Sequence, residues 1–240
     1  MRKLLAWLLM MAPVAASATN TVAQNTTVCT YANTTTASCT FGSTMTNPSL
    51  IVVILTEDTV GSTPTISDNK NAGNYALDSN IHTGATQTGG VIIASKQNTQ
   101  TAAATITATF TSSYGRLKIF EITGAATSSA FDVQNTAAAT ASPVSIAITT
   151  SQADDSVFAG VVSIPNTSTA ADSGYSSAYT SVAVQNLYHY AEYRADAGAA
   201  GAITLTTGQS GNRSWMMAVA SYKTASSTGI LGGSVLLNFP

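Results

Sequence analysis

"SLIVVIL", residues 49 to 55, is a serine followed by six apolar residues. A strand with one face in water alternates apolar and polar residues, whereas a fully buried strand is apolar throughout. Seven residues fit a strand, whereas a helix usually has at least about ten. The stretch therefore predicts a buried strand at the centre of a sheet.

Further strand patterns follow along the chain, separated by clusters of Gly, Asn, Asp, Ser and Pro that favour turns. They occupy residues 89–96, 102–110, 116–123, 143–149, 156–164, 202–207 and 214–223. The alanine-rich stretches 124–130 and 196–202 contain glycine or serine and are interpreted as loops. No amphipathic helix is evident after the first residues. Many short strands predict an all-β fold, a single two-sheet antiparallel β-sandwich over residues 49–224.

The first eighteen residues have the pattern of a signal peptide. Arg2 and Lys3 precede an apolar run from Leu4 to Met11, and the segment closes on the small residues Ala16-Ser17-Ala18. The apolar run is too short to span a bilayer, although a retained anchor is the alternative. No later segment is long and apolar enough for a membrane helix. We therefore expect a secreted or cell-surface protein that begins near residue 19.

Cys29 and Cys39 are the chain's two cysteines. In an oxidising compartment two nearby cysteines form a disulfide, which here would join the strands of a hairpin within residues 19–48. Metal binding is the alternative, but no histidine is nearby and the spacing fits no zinc pattern.

Charged residues make up 8% of the chain and the formal net charge is −2. A nucleic-acid-binding protein needs clustered Lys and Arg, so that function class is excluded. A surface built from uncharged polar side chains suits an exported protein or the subunit of an assembly.

Three motifs resemble those of a broad group of bacterial secreted and phage-associated β-sandwich domains. "ISDNKNAGNYAL" (66–77) resembles the group's D-x-x-G-N-x-Y turn, with extra residues, and "LKIFEITG" (117–124) resembles its L-x-I-x-E-x-x-G strand. The closing strands of residues 191–223 resemble the group's tryptophan-containing end. The likeness covers roughly residues 49 to 223. It implies a jelly-roll-like sandwich and no particular activity.

The densest group of aromatic and ionisable residues is "NLYHYAEYRAD", residues 186–196. If it is a strand, alternation places Tyr188, Tyr190, Glu192 and Arg194 on one face. Such a face could bind a sugar ring, which makes a carbohydrate-binding module one alternative function. The interpretation that we favour is architectural: the tyrosine rings cover the sheet, and Glu192 and Arg194 pair across strands.

Glu121 shares a predicted strand face with Leu117 and Ile119, where a carboxylate needs a partner or a proton. Together with Glu192 it could supply the two carboxyl groups of a sandwich-fold glycosidase. We favour a buried glutamate bonded to backbone amides, a tyrosine or Lys223, because no second acidic residue lies beside either one. For the same reason we predict no glycosidase activity. No nucleophile elbow or phosphate loop is present, so no catalytic residue is assigned.

Oxygen-bearing side chains cluster in and after the 66–77 turn, and calcium is the one cofactor that they could bind. The candidate ligands are Asp68, Asn69, Asn71, Asn74 and Asp78. The spacing does not match an EF-hand, and Asx-rich turns form without metal, so an ordinary turn is favoured. Asp154-Asp155 is interpreted as a bend before the next strand.

Together these observations predict an exported, non-enzymatic surface or structural protein, such as a filament, coat or adhesion subunit. Thr-rich and Val-rich sheet edges without guarding lysines are open to self-association. Two segments, Thr19 to Thr27 and Ser226 to Pro240, could act as extended arms. The C-terminal tail, residues 225–240, contains the apolar "SVLLNF" and either adds a strand to its own sandwich or joins a neighbour's sheet.

Overall fold

The computed structural model describes residues 19–58, 63–82, 89–164, 171–184, 187–209 and 211–226. These residues form fourteen strands and no helix, so no membrane-spanning helix occurs among them. In chain order, the strands are β1 Thr21–Asn25, β2 Cys29–Thr40, β3 Ser49–Glu57, β4 Thr65–Asp68, β5 Ala76–His82, β6 Gly90–Asn98, β7 Thr105–Thr123, β8 Phe131–Ala141, β9 Val144–Thr150, β10 Ser156–Ser163, β11 Ser176–Val184, β12 Leu187–Arg194, β13 Gly201–Thr207 and β14 Arg213–Tyr222. The predicted signal peptide and most of the predicted tail lie outside the described residues.

Two antiparallel sheets form the sandwich that the sequence predicts. The first sheet has the order β1-β7-β3-β6-β5, with β2 and β4 also paired to β7. The second sheet has the order β11-β12-β10-β14-β8. Strands β3 and β6 of the first sheet contact β10 and β14 of the second, and one apolar cluster fills the space between them. The all-β antiparallel sandwich is therefore confirmed.

The central strands are apolar throughout because each of their two faces is buried against a different layer. In β3, Val52 and Ile54 face the second sheet, while Val53 and Leu55 belong to a second apolar cluster on the opposite face. A third cluster covers the outer face of the second sheet, where a two-stranded ribbon of β9 and β13 packs against it. This explains why β3 and β10 have no exposed position.

The second cluster is enclosed because β7 and β2 bend together. Cys29 pairs with Leu117 in the second half of β7, and Cys39 pairs with Ile106 at its beginning. The two cysteine Cα atoms are 5.9 Å apart, whereas ten residues of straight strand would span about 33 Å. The predicted disulfide is thus confirmed. It does not join a hairpin, because β2 is one bent strand whose hydrogen-bonded partner is β7 along both halves. Residues 102–110 and 116–123, predicted as two strands, contribute to this single β7.

The N-terminal segment is part of the first sheet rather than an extended arm. Strand β1 pairs with the last residues of β7, so the arm predicted at Thr19 to Thr27 lies along its own sheet. Asn20 is buried and its side-chain amide donates to the Tyr222 carbonyl (2.9 Å) and to the Ser156 hydroxyl (3.2 Å). A Cβ at Gly124, whose φ is +82°, would lie 2.2 Å from the Thr19 carbonyl oxygen. These contacts fasten the segment to both sheets.

Candidate functional site

The tyrosine-rich stretch forms strand β12, with the predicted alternation. Tyr190 and Glu192 are buried beneath the β9–β13 ribbon, and Tyr188 and Arg194 are half-buried. His189 and Ala191 face the first sheet instead. The sequence thus predicts which residues share a face, but two of the four proposed sugar-binding side chains are inaccessible from the surface.

Glu192 links the strand to the preceding loop. Its Oε2 accepts hydrogen bonds from the Asp172 backbone amide (2.8 Å) and the Tyr190 hydroxyl (3.2 Å). The Asp172 carboxylate in turn accepts from the Thr206 amide of β13 (2.9 Å). Burial raises the pKa of Glu192 to about 7, against the lowering effect of its two hydrogen bonds. The carboxyl group therefore joins the second sheet, the loop and the ribbon.

Arg194 contacts two loops. Its Nε donates to the Asp196 carbonyl, and its guanidinium lies within van der Waals distance of the space beside Gly174 and Gly198. Both glycines have φ near +80°. The guanidinium thus packs between two turns that glycine makes possible.

Glu121 has the architectural role that the sequence favours. Its carboxylate accepts from the backbone amide of Thr46 and from the Gln24 side-chain amide (2.6 Å). These bonds fasten β1 and the segment before β3 to β7. Two donors therefore explain a carboxylate that is 1% exposed on an apolar face.

The structure does not bring Glu121 and Glu192 together. Glu121 shares its face with Leu117 and Ile119 and points away from the second sheet, while Glu192 points away from the first. Packed sheets lie about 10 Å apart, and carboxyl groups on their outer faces are farther apart still. The two carboxyl groups of a glycosidase lie roughly 5–9.5 Å apart. This arrangement offers no such pair.

The proposed calcium turn is organised around the ammonium group of Lys96. That group donates to the backbone carbonyls of Asn71 (3.2 Å), Ala72 (2.6 Å) and Gly73. The Asp68 carboxylate is occupied by the Lys70 amide (2.6 Å) and the Tyr75 hydroxyl (2.9 Å). A lysine therefore stands where a bound cation would neutralise the turn.

Three of the four remaining proposed calcium ligands accept hydrogen bonds from other parts of the protein. The Asn71 side-chain oxygen accepts from the Thr99 amide (2.9 Å), and the Asn69 oxygen accepts from the Thr105 amide (3.0 Å). Asp78 accepts from the Tyr222 hydroxyl (2.8 Å), away from the turn, and Asn74 lines a surface cavity. Among the described residues no cluster of three or more His, Cys, Asp or Glu side chains could hold a metal. The geometry favours an ordinary turn.

A buried polar cluster lies at one end of the sandwich and was missed by the sequence analysis. The Thr56 and Tyr179 hydroxyls are 2.9 Å apart, and the Tyr31 hydroxyl donates to the Thr56 carbonyl (3.0 Å). The Arg116 guanidinium lies 5.5 Å from the centre of the Tyr179 ring. Burial, followed by the charge of Arg116, lowers the pKa of nearby His189 to about 3. In the sequence Arg116 and Lys118 share a strand face with Phe120, and that pattern does not show that another sheet covers the face.

Glu57 ends β3 and points to the face of the first sheet that carries Tyr31 of this cluster. It is fully buried, and neither carboxyl oxygen has a hydrogen-bond partner among the described residues. Burial raises its pKa to about 8, so the group is protonated at neutral pH. A neutral acid can remain in an apolar cluster at a cost far below that of a carboxylate.

Asp154 and Asp155 mark the predicted bend, but only Asp154 has a turn conformation, with φ of 61°. Asp155 is buried beside Asp132 of β8, and burial and then this neighbour raise the pKa of Asp155 to about 7. The Asp132 carboxylate accepts from the Ser151 amide (2.7 Å). The pair connects β8 to the loop before β10, and sequence alone gave no signal for it because the two residues are far apart in the chain.

Comparisons of the chain with protein-family models, with curated proteins and with solved structures find no match. The residues of the three resembling motifs nevertheless have clear roles in this chain. Asp68 and Tyr75 close the turn, Glu121 fastens β1, and Trp215 donates its indole N–H to the Ala141 carbonyl (3.1 Å). Each of these roles is structural.

Proposed function

We propose that this chain is an exported, non-enzymatic structural subunit that self-assembles through the free edge of β8. The observation that carries the proposal is the edge itself. Strand β8 is eleven residues long and contains one charged residue, Asp132, and among the described strands it pairs with β14 alone. A long edge with few charges presents backbone N–H and C=O groups to another chain. A second copy that adds a strand there would extend the second sheet.

The rest of the edge region supports this proposal. Residues 138–140 are exposed, and their small side chains, two alanines and a threonine, leave the backbone accessible. The β9–β13 ribbon approaches the strand on the outer face of the second sheet, where the Asn135 side-chain amide donates to the Ala147 carbonyl (2.8 Å). This contact restrains β8 without pairing the backbone of residues 138–140.

The positions of the two candidate catalytic glutamates support a non-enzymatic role. Glu121 and Glu192 are buried and hydrogen-bonded to the framework, and they face away from each other. Sugar binding by the β12 face has no support from Tyr190 and Glu192, because the ribbon covers them. The disulfide between Cys29 and Cys39 fits an oxidising compartment, as an exported protein requires.

The test compares two matched lysine substitutions by native mass spectrometry and electron microscopy. Ala138→Lys places a charge on the β8 edge, and Ala202→Lys places the same charge at an exposed position of β13. We expect oligomers of the unmodified chain, at least a tenfold weaker association of Ala138→Lys, and unchanged association of Ala202→Lys. An unmodified chain that stays monomeric at high concentration would overturn the proposal. So would equal weakening by both substitutions.

A further inference from the structure

An open cavity of about 330 Å³ lies between strands β5 and β6 of the first sheet and residues 127–131, which lead into β8. Polar side chains make up most of its lining, and they include a carboxylate, two amides and four hydroxyl groups. The volume lies at the lower end of the range for small-molecule sites, about 300–1,000 Å³. The cavity therefore suits a small polar ligand, and it is separate from the covered β12 face.

One wall of the cavity carries an exposed aromatic ring. Phe131 is 36% exposed, which makes it the large hydrophobic side chain at the surface of the described residues. Its ring meets the buried ring of Tyr222 in an edge-to-face contact, with the centroids 6.4 Å apart. An exposed ring that is supported from beneath offers a flat apolar surface, on which the C–H groups of a sugar ring can stack.

The Asp78 carboxylate also lines the cavity, and two hydroxyl groups hold it in place. The Tyr222 hydroxyl donates to its Oδ2 (2.8 Å), and the Ser95 hydroxyl forms a second hydrogen bond with it. A carboxylate has about four acceptor positions, so two remain for a ligand. Because Tyr222 contacts both Phe131 and Asp78, it fixes the ring and the carboxylate relative to each other.

The other polar groups of the lining are neutral or already bound. The Asn74 amide and the Ser128 and Ser129 hydroxyls are exposed, and each of them can both donate and accept hydrogen bonds. The Lys96 ammonium group, in contrast, is bound by the three backbone carbonyls of residues 71–73. This lysine is therefore not available to an anionic ligand.

We infer that this cavity binds a neutral sugar residue, free or at the end of a glycan, with the sugar ring against Phe131 and its hydroxyls bonded to Asp78. Sugar hydroxyls both donate and accept, which matches a carboxylate acceptor surrounded by amide and hydroxyl groups. Asp78 would repel a phosphate or carboxylate ligand, and a wholly apolar ligand would remove water from the polar lining without replacing its hydrogen bonds. The site goes beyond the proposed function, because pairing at residues 138–140 of β8 does not require it.

NMR titration of the unmodified chain tests the inference. The probes are methyl glycosides of the common neutral hexoses and N-acetylhexosamines, and the readout is the shift of backbone amide signals. We expect saturable shifts of amides 95–97 and 127–131 with at least one glycoside, and a Kd of the order of 1 mM for a single sugar residue. An oligosaccharide that ends in the responding sugar then distinguishes the two sources: tighter binding indicates a glycan, and equal binding a free sugar.

Variants of the two walls separate this site from binding elsewhere. Phe131→Ala should weaken the binding at least about tenfold because it removes the ring, whereas Phe131→Trp should retain it. Asp78→Asn should also weaken it about tenfold, although the amide oxygen still accepts from the Tyr222 hydroxyl and so preserves the wall. Thr204→Ala, at an exposed position of β13, is the control and should bind as the unmodified chain does.

Three results would overturn the inference: no saturable shift with any glycoside, unchanged binding by Phe131→Ala or Asp78→Asn, or shifts of the same amides by tetramethylammonium chloride alone. The last result would identify the cavity as a site for cations. Ala138→Lys should bind the glycoside as the unmodified chain does, while its native mass reports self-assembly. Failure of the sugar site and failure of the proposed function are therefore observed separately.

Discussion

Strands β10 and β9 are both antiparallel and nearly equal in length, yet their compositions differ. Every residue of β10 is buried, whereas β9 alternates between buried Val144, Ile146 and Ile148 and exposed positions such as Ala147 and Thr149. The difference arises because β10 lies between two apolar clusters and β9 covers only one. The number of covered faces, rather than strand type, sets the hydrophobic pattern. Stability should therefore be concentrated in the inner sheets.

The largest effect is expected for Phe158→Ala in β10. The Phe158 ring contacts those of Phe120, Tyr222 and Tyr193, with centroids 5.1, 5.8 and 6.0 Å away, at the interface of the two sheets. Its removal should lower the free energy of unfolding by about 3–5 kcal/mol. Ile203→Ala in the half-buried outer ribbon is the matched control and should cost roughly 1–2 kcal/mol, because its cavity opens to water. Urea denaturation of both variants measures the contrast, and equal losses would contradict it.

The inner strands were predictable from sequence because both of their faces are buried, so that nearly all of their residues are apolar or small. "SLIVVIL" became β3, and residues 156–164 and 214–223 became β10 and β14 within a residue or two at each end. Strand β8 was not predicted, because "FDVQNTAAATA" is rich in alanine and does not alternate apolar and polar residues. Its extended conformation comes from pairing with β14 along most of its length. The conformation of such a strand depends on its pairing partner, and the local sequence carries no information about that partner.

The candidate site also shows that a local sequence pattern does not predict contacts between distant parts of the chain. The face shared by Tyr190 and Glu192 followed from alternation, but its burial depends on the ribbon that packs over it. Lys96 takes the cationic role in the Asp68 turn from 24 residues beyond Ala72. Sequence spacing identified the oxygen-rich turn and could not identify the group that it surrounds. Likewise, Asp132 and Asp155 meet only because β8 and the loop before β10 are neighbours in space.

The second prediction concerns the bent outer part of the first sheet. Replacing both Cys29 and Cys39 with alanine should lower the free energy of unfolding by about 2–3 kcal/mol, since a ten-residue link no longer restricts the unfolded chain. Hydrogen exchange should show residues 29–40 and 105–110 opening before β3 and β10. A loss of less than about 0.5 kcal/mol, or simultaneous opening of all these strands, would contradict the separation of inner and outer layers.

The smallest effect expected is a dependence of stability on pH, which distinguishes a buried acid of an inner strand from one beneath the outer ribbon. Burial raises the pKa of Glu57 to about 8 and that of Glu192 to about 7. Above the ordinary glutamate pKa, near 4.3, the folded chain holds a proton at each site that the unfolded chain has released. The stabilisation is therefore complete at low pH and is lost as pH rises through the folded pKa, by at most about 1.4 kcal/mol per pH unit and group.

His189 opposes this trend only below its ordinary pKa, near 6.5, because its folded pKa is about 3 and protonation then favours the unfolded chain. Asp155, with a pKa of about 7, is mostly ionised by pH 8. In the interval from pH 7 to 8.5 Glu57 therefore makes the largest of the three contributions. Thermal unfolding across it should show stability falling with pH in the unmodified chain, a slightly smaller slope in Glu192→Gln, and a slope reduced by about half or more in Glu57→Gln. If Glu57→Gln keeps the full slope, the Glu57 carboxyl group is ionised in the folded protein, and the inner cluster that surrounds it must admit water.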